Sequence, residues 1–203
     1  EVCPDSQRAA RLAAEHLLER GLRQFAFVGA FDDPLWSTRR EEGFAQRLAE
    51  AGYAYHRYPL PPRPRDRQWA REQALMSAWM DTLPKPVGLL ACDDDRGREV
   101  MEACRAAGAV VPDDVAVIGV DNDEFACELS DPPLSSVAFD TERAGYEAAA
   151  LLDGLMSGRI RQPQRIWVRP RYVVARRSTD VLALEDRVVA TALRFIRDNA
   201  GRP

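Results

Sequence analysis

The chain has 203 residues, 46% hydrophobic and 30% charged, the balance of a globular domain and not of a disordered or collagenous segment. A chain of this length buries roughly 70% of the surface its unfolded form exposes, so it needs no disulfide staples. Its 28 basic and 32 acidic side chains leave a net charge of −4, which supplies no global basic field for nucleic acid.

Cys3, Cys92, Cys104 and Cys127 lie far apart with no C-x-x-C, which suits reduced core thiols of a reducing compartment and speaks against a zinc site. Uninterrupted apolar runs such as Phe25 to Val28 are far shorter than the roughly 18 to 20 residues of a membrane span. The sequence opens at Glu1 without a methionine or a leader and reads as a piece of something longer.

The first periodic segment follows Asp5-Ser6, with Ala10, Ala13, Ala14, Leu17 and Leu18 on one stripe and Gly21 as its stop, and predicts a capped amphipathic helix. Gln24 to Gly29 reads as a strand buried on both faces, as in a parallel sheet. A helix is expected from about Ser37 to Ala51, with Phe44 and Leu48 inward and Gly52 as its stop, then a weaker strand over Tyr53 to Tyr58. The stretch from Pro59 to Asp66 is a stiff Pro/Arg connector. Asp66 opens the next expected helix, which carries Leu75, Met76, Trp79 and Met80 and ends at Pro84 and Pro86.

Val87 to Cys92 is another buried-type strand, followed by a helix to about Ala107 and a strand over Val115 to Val120. An Ala/Leu-rich helix is expected over Thr141 to Met156, then short strands near Arg165 to Val168 and Arg171 to Ala175. Ser178 to Asp180 breaks the pattern, and Leu184 to Asn199 restarts a helix. Strand and helix in alternation, with short connectors, predict right-handed crossovers and a doubly wound parallel sheet.

In such sheets ligands bind beyond the carboxyl ends of the strands. The residues there are polar: Asp32, Asp33, Trp36 and Arg40 after the first strand, Asp93-Asp94-Asp95 after the Val87 strand, Asp121-Asn122-Asp123 after the Val115 strand. Carboxylates accept from paired hydroxyls, a guanidinium donates a fork, and an indole covers a C–H face, which together fit a polyhydroxylated small molecule. No phosphate-cradling glycine motif follows a strand.

Each of these residues also has a plainer role. Asp94 or Asp95 is most simply the N-cap of the next helix, whereas Asp93 is harder to explain as a cap; Asp121 is equally a turn residue, and Trp79 a core residue. His16 and His56 have no serine elbow or paired cysteine to work with, so a nucleophilic triad is not indicated. The arginines at 159, 161, 165, 169, 171, 176 and 177 form either a solvated face or a docking surface for a neighbouring domain or DNA. A metal- or carboxylate-dependent hydrolase acting on a sugar derivative stays open as an alternative on the same acidic rim, as does a transport receptor of the same fold.

Four segments carry a resemblance. His16-Leu-Leu-Glu-Arg-Gly21, Phe25-Ala-Phe-Val-Gly29, Arg40-Glu-Glu-Gly43-Phe44 and Val117-Ile-Gly-Val-Asp121-Asn, in this order and spacing, resemble the helix, strand, R-x-x-G-F and V-I-G-x-D signatures of the effector-binding core of the lac repressor/galactose repressor family. Trp36, Trp69, Leu83-Pro84, Ile118 to Asn122, Arg176 to Asp180 and Val188 to Asn199 are similar to members that join this core to an AraC-type helix-turn-helix domain.

The resemblance implies an α/β, doubly wound lobe of type I periplasmic-binding-protein-like fold. Residues 1–180 are then the C-terminal lobe of an effector domain whose first lobe is largely missing from the sequence. Residues 181–203 become a linker and first helix leading into the DNA-binding domain. It further implies a sugar effector, D-xylose, between two lobes, operator DNA as a partner of the further domain, a homodimer, a cytoplasmic location, no cofactor and no catalysis. Carried over by motif, Arg40 donates to sugar hydroxyls and Asp121 accepts from them, Asp93 takes a polar position where asparagine or threonine is common, and Trp36 and Trp69 cover the ligand.

Overall fold

A computed structural model of the chain describes residues 1–31, 34–60, 69–162 and 164–181, with positions 189, 192, 195 and 196. Asp32, Asp33, the connector from Pro61 to Asp66, the Trp69 side chain and most of the expected Leu184 to Asn199 helix lie outside the described residues.

The described elements are β1 (Val2–Pro4), α1 (Ser6–Glu19), β2 (Gln24–Val28), α2 (Leu35–Glu50), β3 (His56–Arg57), α3 (Trp69–Thr82), β4 (Val87–Ala91), α4 (Asp94–Ala106), β5 (Val115–Asp121), α5 (Glu124–Glu128), β6 (Ser135–Phe139), α6 (Thr141–Met156), β7 (Ile166–Val168) and β8 (Pro170–Val174), then a 3-10 turn over Arg177–Thr179. Six strands form one sheet in the order β3-β2-β4-β5-β6-β8. The pairs among the first five are parallel, and β8 runs antiparallel to β6 at the edge.

The sheet is buried on both faces because alternate residues of each central strand point to opposite helix layers. Phe25, Phe27, Leu90, Ala116, Ile118 and Val120 pack with Ala10, Ala14 and Leu17 of α1 and with Phe44 and Leu48 of α2. Ala26, Val28, Leu89, Val115 and Val117 pack on the other side with Met76 and Met80 of α3 and Val100, Met101 and Cys104 of α4. Asp5 caps α1 by accepting from the Arg8 amide at 3.2 Å, and Gly21 and Gly52 supply the left-handed residues after α1 and α2.

The doubly wound expectation therefore stands, with differences. Three elements lack a sequence signal: β1, short and ending in proline; α5, a single turn and a half; and β6, which opens on Ser135-Ser136. The last two strands do not simply extend a parallel sheet. β7 pairs with β1 in a separate two-stranded sheet, and the chain then turns back at Pro170 so that β8 closes the edge in the opposite sense.

Only Ala144 and Gly154 of α6 are buried, while Tyr146, Leu152 and Met156 are exposed. Among the described residues no helix is long and apolar enough to cross a membrane.

Candidate functional site

Strand order reverses at β2, whose chain continues to β3 on one side and to β4 on the other, so the crevice beyond the ends of β2 and β4 is the switch point of the sheet. Arg40 fills its floor. Its side chain rises from α2 one turn after Trp36, and the same helix is brought against α1 by Gly43, where a Cβ would overlap the Gln7 carbonyl oxygen. The R-x-x-G-F motif is thus three tasks on one helix: Arg40 reaches into the crevice, Gly43 lets the helices touch, and Phe44 enters the core.

The Arg40 guanidinium, with its side chain 4% exposed, donates from Nη2 to Asp121 Oδ1 at 2.7 Å and from Nη1 to Asp121 Oδ2 at 3.3 Å and to the Cys92 carbonyl oxygen. Its plane is flanked by the Trp36 ring at 4.9 Å and the Phe139 ring at 5.8 Å. Its Nε is buried without a hydrogen-bond partner among the described residues. Asp121, in contrast, is 49% exposed and presents the open edge of the pair to solvent.

Asp121 and Asn122 both have positive φ, 111° and 54°, which non-glycine residues rarely adopt and which must be held by their surroundings. The Asn122 amide donates to Ser136 Oγ at 3.0 Å, the Asp123 amide donates to Asp94 Oδ2 at 2.7 Å, and Arg176 Nη1 donates to Asn122 Oδ1 at 3.0 Å. The turn reading of Asp121 and its ligand-facing reading are therefore compatible.

The acidic triplet is arranged differently from the expectation. Asp93, not Asp94 or Asp95, is the N-cap of α4: its backbone is extended and its Oδ1 accepts from the Arg96 amide at 2.7 Å. The helix starts one residue earlier than expected, so Asp94 already belongs to its first turn. Asp93 is half-buried beside the pair, and burial chiefly, with Asp121 adding to it, raises its carboxyl against the lowering effect of the Arg96 amide.

Asp94 is buried, accepts from Ser136 Oγ at 2.6 Å as well as from the Asp123 amide, and is pushed up to about 7 mainly by burial. Phe139 and Ser136 carry no signal in the sequence, and Asp94 reads there most simply as a cap. The one available signal was that a run of three aspartates needs only one cap.

Trp36 and Arg40, Asp93 and Asp121 therefore gather at one rim, while Trp69 begins α3 with its side chain outside the described residues. Trp79 packs at the core edge with its ring 5.1 Å from that of Tyr58, as a core residue would. Among the basic run, Arg159, Arg165, Arg171 and Arg176 are paired with Asp153, Glu1, Asp140 and Glu128. Burial pushes Cys92, Cys104 and Cys127 up to about 12, so they are inert thiols at neutral pH. Among the described residues no group of three His, Cys, Asp or Glu side chains forms a metal cluster. A cavity of about 620 Å³ lies apart from the rim, between α6 and β7, lined in part by Arg143, Tyr146, Ile160 and Trp167.

A family model of periplasmic binding protein-like domains matches residues 14–179. The chain belongs to that family. It is 37% identical to the xylose operon regulatory protein of Escherichia coli K12 over 98% of this chain and 51% of that protein, and 33% identical to the Haemophilus influenzae Rd protein of the same name, over 98% and 52%. Among solved structures, a xylose-binding transcription activator, XylR, superposes with a TM-score of 0.82 at 36% identity, covering 98% of this chain and 53% of the other. The cellobiose complex of the transcriptional regulator CelR superposes with a TM-score of 0.72 at 28% identity, over 87% and 53%. The chain thus spans about half the length of the relatives it matches.

Proposed function

We propose that this chain is the sugar-sensing part of a transcription regulator, that D-xylose is its effector, and that it catalyses nothing. The observation that carries the reading is the Arg40–Asp121 pair at the switch-point crevice, floored by a buried guanidinium and flanked by Trp36. The half-exposed Asp121 carboxylate accepts from vicinal hydroxyls, the Arg40 guanidinium that holds it donates, Asp93 adds a second acceptor, and Trp36 and Trp69 cover the apolar face of the ring. The names of the relatives, regulators of a xylose operon and a cellobiose-bound regulator, support a sugar as ligand.

Residues 1–180 are assigned to the C-terminal lobe and 181–203 to a linker towards an AraC-type DNA-binding domain that contacts operator DNA. The separate β1–β7 sheet and the thinly buried α6 support connections from this lobe to a first lobe. Sugar held between the lobes favours the closed arrangement by differential affinity, and the segment after Asp180 passes that change on. The regulator works as a cytoplasmic homodimer.

Calorimetric titration of the full-length protein with D-xylose, L-arabinose, D-ribose and D-glucose tests the reading. Selective xylose binding, abolished by Arg40→Ala and by Asp121→Ala, is expected. Folded protein that binds none of the four sugars would overturn it.

A further inference from the structure

A buried carboxylate, Asp94, lies behind the pair at the rim and is hydrogen-bonded to the turn that follows Asp121. Register places Gly119 of β5 opposite Ser136 of β6, and α4 lies over this point of the sheet. A Cβ on Gly119 would overlap Asp94 Oδ1, so the glycine of the V-I-G-x-D segment is the space that the Asp94 carboxylate occupies. From there Asp94 accepts twice, from Ser136 Oγ at 2.6 Å and from the Asp123 amide at 2.7 Å, and Ser136 Oγ in turn accepts from the Asn122 amide. The two residues after Asp121 are thereby tied to α4 and β6, across the stretch where Asp121 and Asn122 hold positive φ.

We propose that Asp94 is a positioning residue: through Ser136 and the Asn122 and Asp123 amides it holds the strained turn that aims the Asp121 carboxylate at Arg40, and so sets the affinity of the site. The assignment rests on the sugar reading for its effect on affinity, but not for its effect on the Arg40–Asp121 pair. No other side chain among the described residues accepts from the Asp123 amide.

The titratable groups facing Asp94 are Asp121 and Asp123 at the exit of β5 and Cys127 in α5, with Asp93 and Asp95 beside it on its own helix. Burial raises Asp94 to about 7, so its charge changes near neutrality. The ionised form is acceptor-only and serves both donors, whereas a protonated oxygen is lost to one of them.

The test compares wild type, Asp94→Asn and Ser136→Ala in the full-length protein by two readouts. Without ligand, arginine-selective nitrogen spectra report whether the Arg40 guanidinium protons stay protected by Asp121, and amide exchange reports the Asn122 and Asp123 bonds. With ligand, D-xylose affinity is measured from pH 5.5 to 8.5. Expected are loss of Arg40 and Asp123 protection in Asp94→Asn, at least a tenfold weaker affinity, and a smaller loss in Ser136→Ala. Wild-type affinity is expected to tighten severalfold from pH 6 to pH 8, with that step absent in Asp94→Asn.

Wild-type protection and an unchanged pH profile in Asp94→Asn would overturn the assignment. Should Asp94→Asn not fold, Ser136→Ala decides it: wild-type protection at Arg40 and Asn122 in that variant overturns it. Failure of wild type to bind xylose at any pH overturns the sugar reading instead, and the ligand-free spectra then decide the role of Asp94 alone.

Discussion

His16 Nε2 lies 2.8 Å from Thr179 Oγ1, joining α1 to the turn that ends the six-stranded fold 163 residues later. Both side chains are buried, Arg20 donates from Nε to the Thr179 carbonyl at 2.7 Å, and Ser135 Oγ lies 2.7 Å from Thr179 Oγ1. The turn is thus fixed to α1 and β6 by polar contacts that burial makes costly to break.

The same contact makes a pH prediction. Burial first, and Arg20 second, lower His16 from 6.5 to about 4, so the folded protein holds it neutral where the unfolded chain takes up a proton. Its contribution is present above pH 6.5 and is lost as pH falls from 6.5 towards 4, by about 3 kcal/mol. Asp94 acts in the opposite sense: raised to about 7, it contributes below 3.8 and loses that contribution as pH rises through 7. Between pH 6.5 and 4 the two slopes offset each other. Urea denaturation across this range is expected to show His16→Gln gaining on wild type as pH falls and Asp94→Asn falling behind it. Parallel curves for all three proteins would refute both assignments.

The central architecture was legible because it is written in local periodicity. The stripe from Ala10 to Leu17, the run from Phe25 to Val28 and the glycines after the helices are signals within one element, and the structure repeats them. What escaped depends on partners distant in sequence. Ser135 and Ser136 carry no strand signal, yet both are fully buried in a strand because Ser178, Arg176 and Asp94, each about 40 residues away, satisfy their hydroxyls and amides. The Arg40–Asp121 pair spans 81 residues; position after the predicted strands puts both at the rim, and only the family resemblance singles them out. The cap was misplaced because three consecutive aspartates carry no local mark of which one precedes the first helical residue.

Gly119→Ala tests how closely that strand and α4 are fitted. The new methyl group would displace the Asp94 carboxylate from its two donors, costing about 1–3 kcal/mol in a packed interior. In an Asp94→Ala background the carboxylate is gone and only the Asp94 Cα, 3.3 Å from the new methyl group, stays close, so Gly119→Ala should cost less. A double-mutant cycle by chemical denaturation reads the coupling; additive losses would show that the two positions do not share that space.

Arg40→Lys separates shape from charge. A lysine ammonium keeps the positive charge but not the planar fork that spans both Asp121 oxygens and the Cys92 carbonyl, nor the stacking between Trp36 and Phe139. Sugar affinity is expected to fall at least tenfold, with a stability loss of about 1–3 kcal/mol from the carbonyl and carboxylate left poorly paired. Wild-type affinity in the lysine variant would reduce Arg40 to a counter-charge.

Arg96 makes the corresponding prediction on the opposite side of the crevice. Its guanidinium, with the side chain 5% exposed, pairs with Glu72 at 2.7 Å and with Glu99, donates from Nε to the Gly29 carbonyl at 3.1 Å, and lies 4.6 Å from the centre of the Phe31 ring. It therefore ties α3 and α4 to the exit of β2, where the rim begins. Arg96→Ala strands the Glu72 carboxylate, itself 8% exposed, without its counter-charge, and is expected to cost about 3–5 kcal/mol. Arg96→Met combined with Glu72→Leu removes the charges of that pair and refills the volume, so it should recover most of the loss. The two variants compared by urea midpoint at constant m-value decide the point. If the double variant is as unstable as Arg96→Ala, the role of Arg96 lies in its bond to Gly29 and its face on Phe31, and the loop after β2 should then lose protection from amide exchange in both.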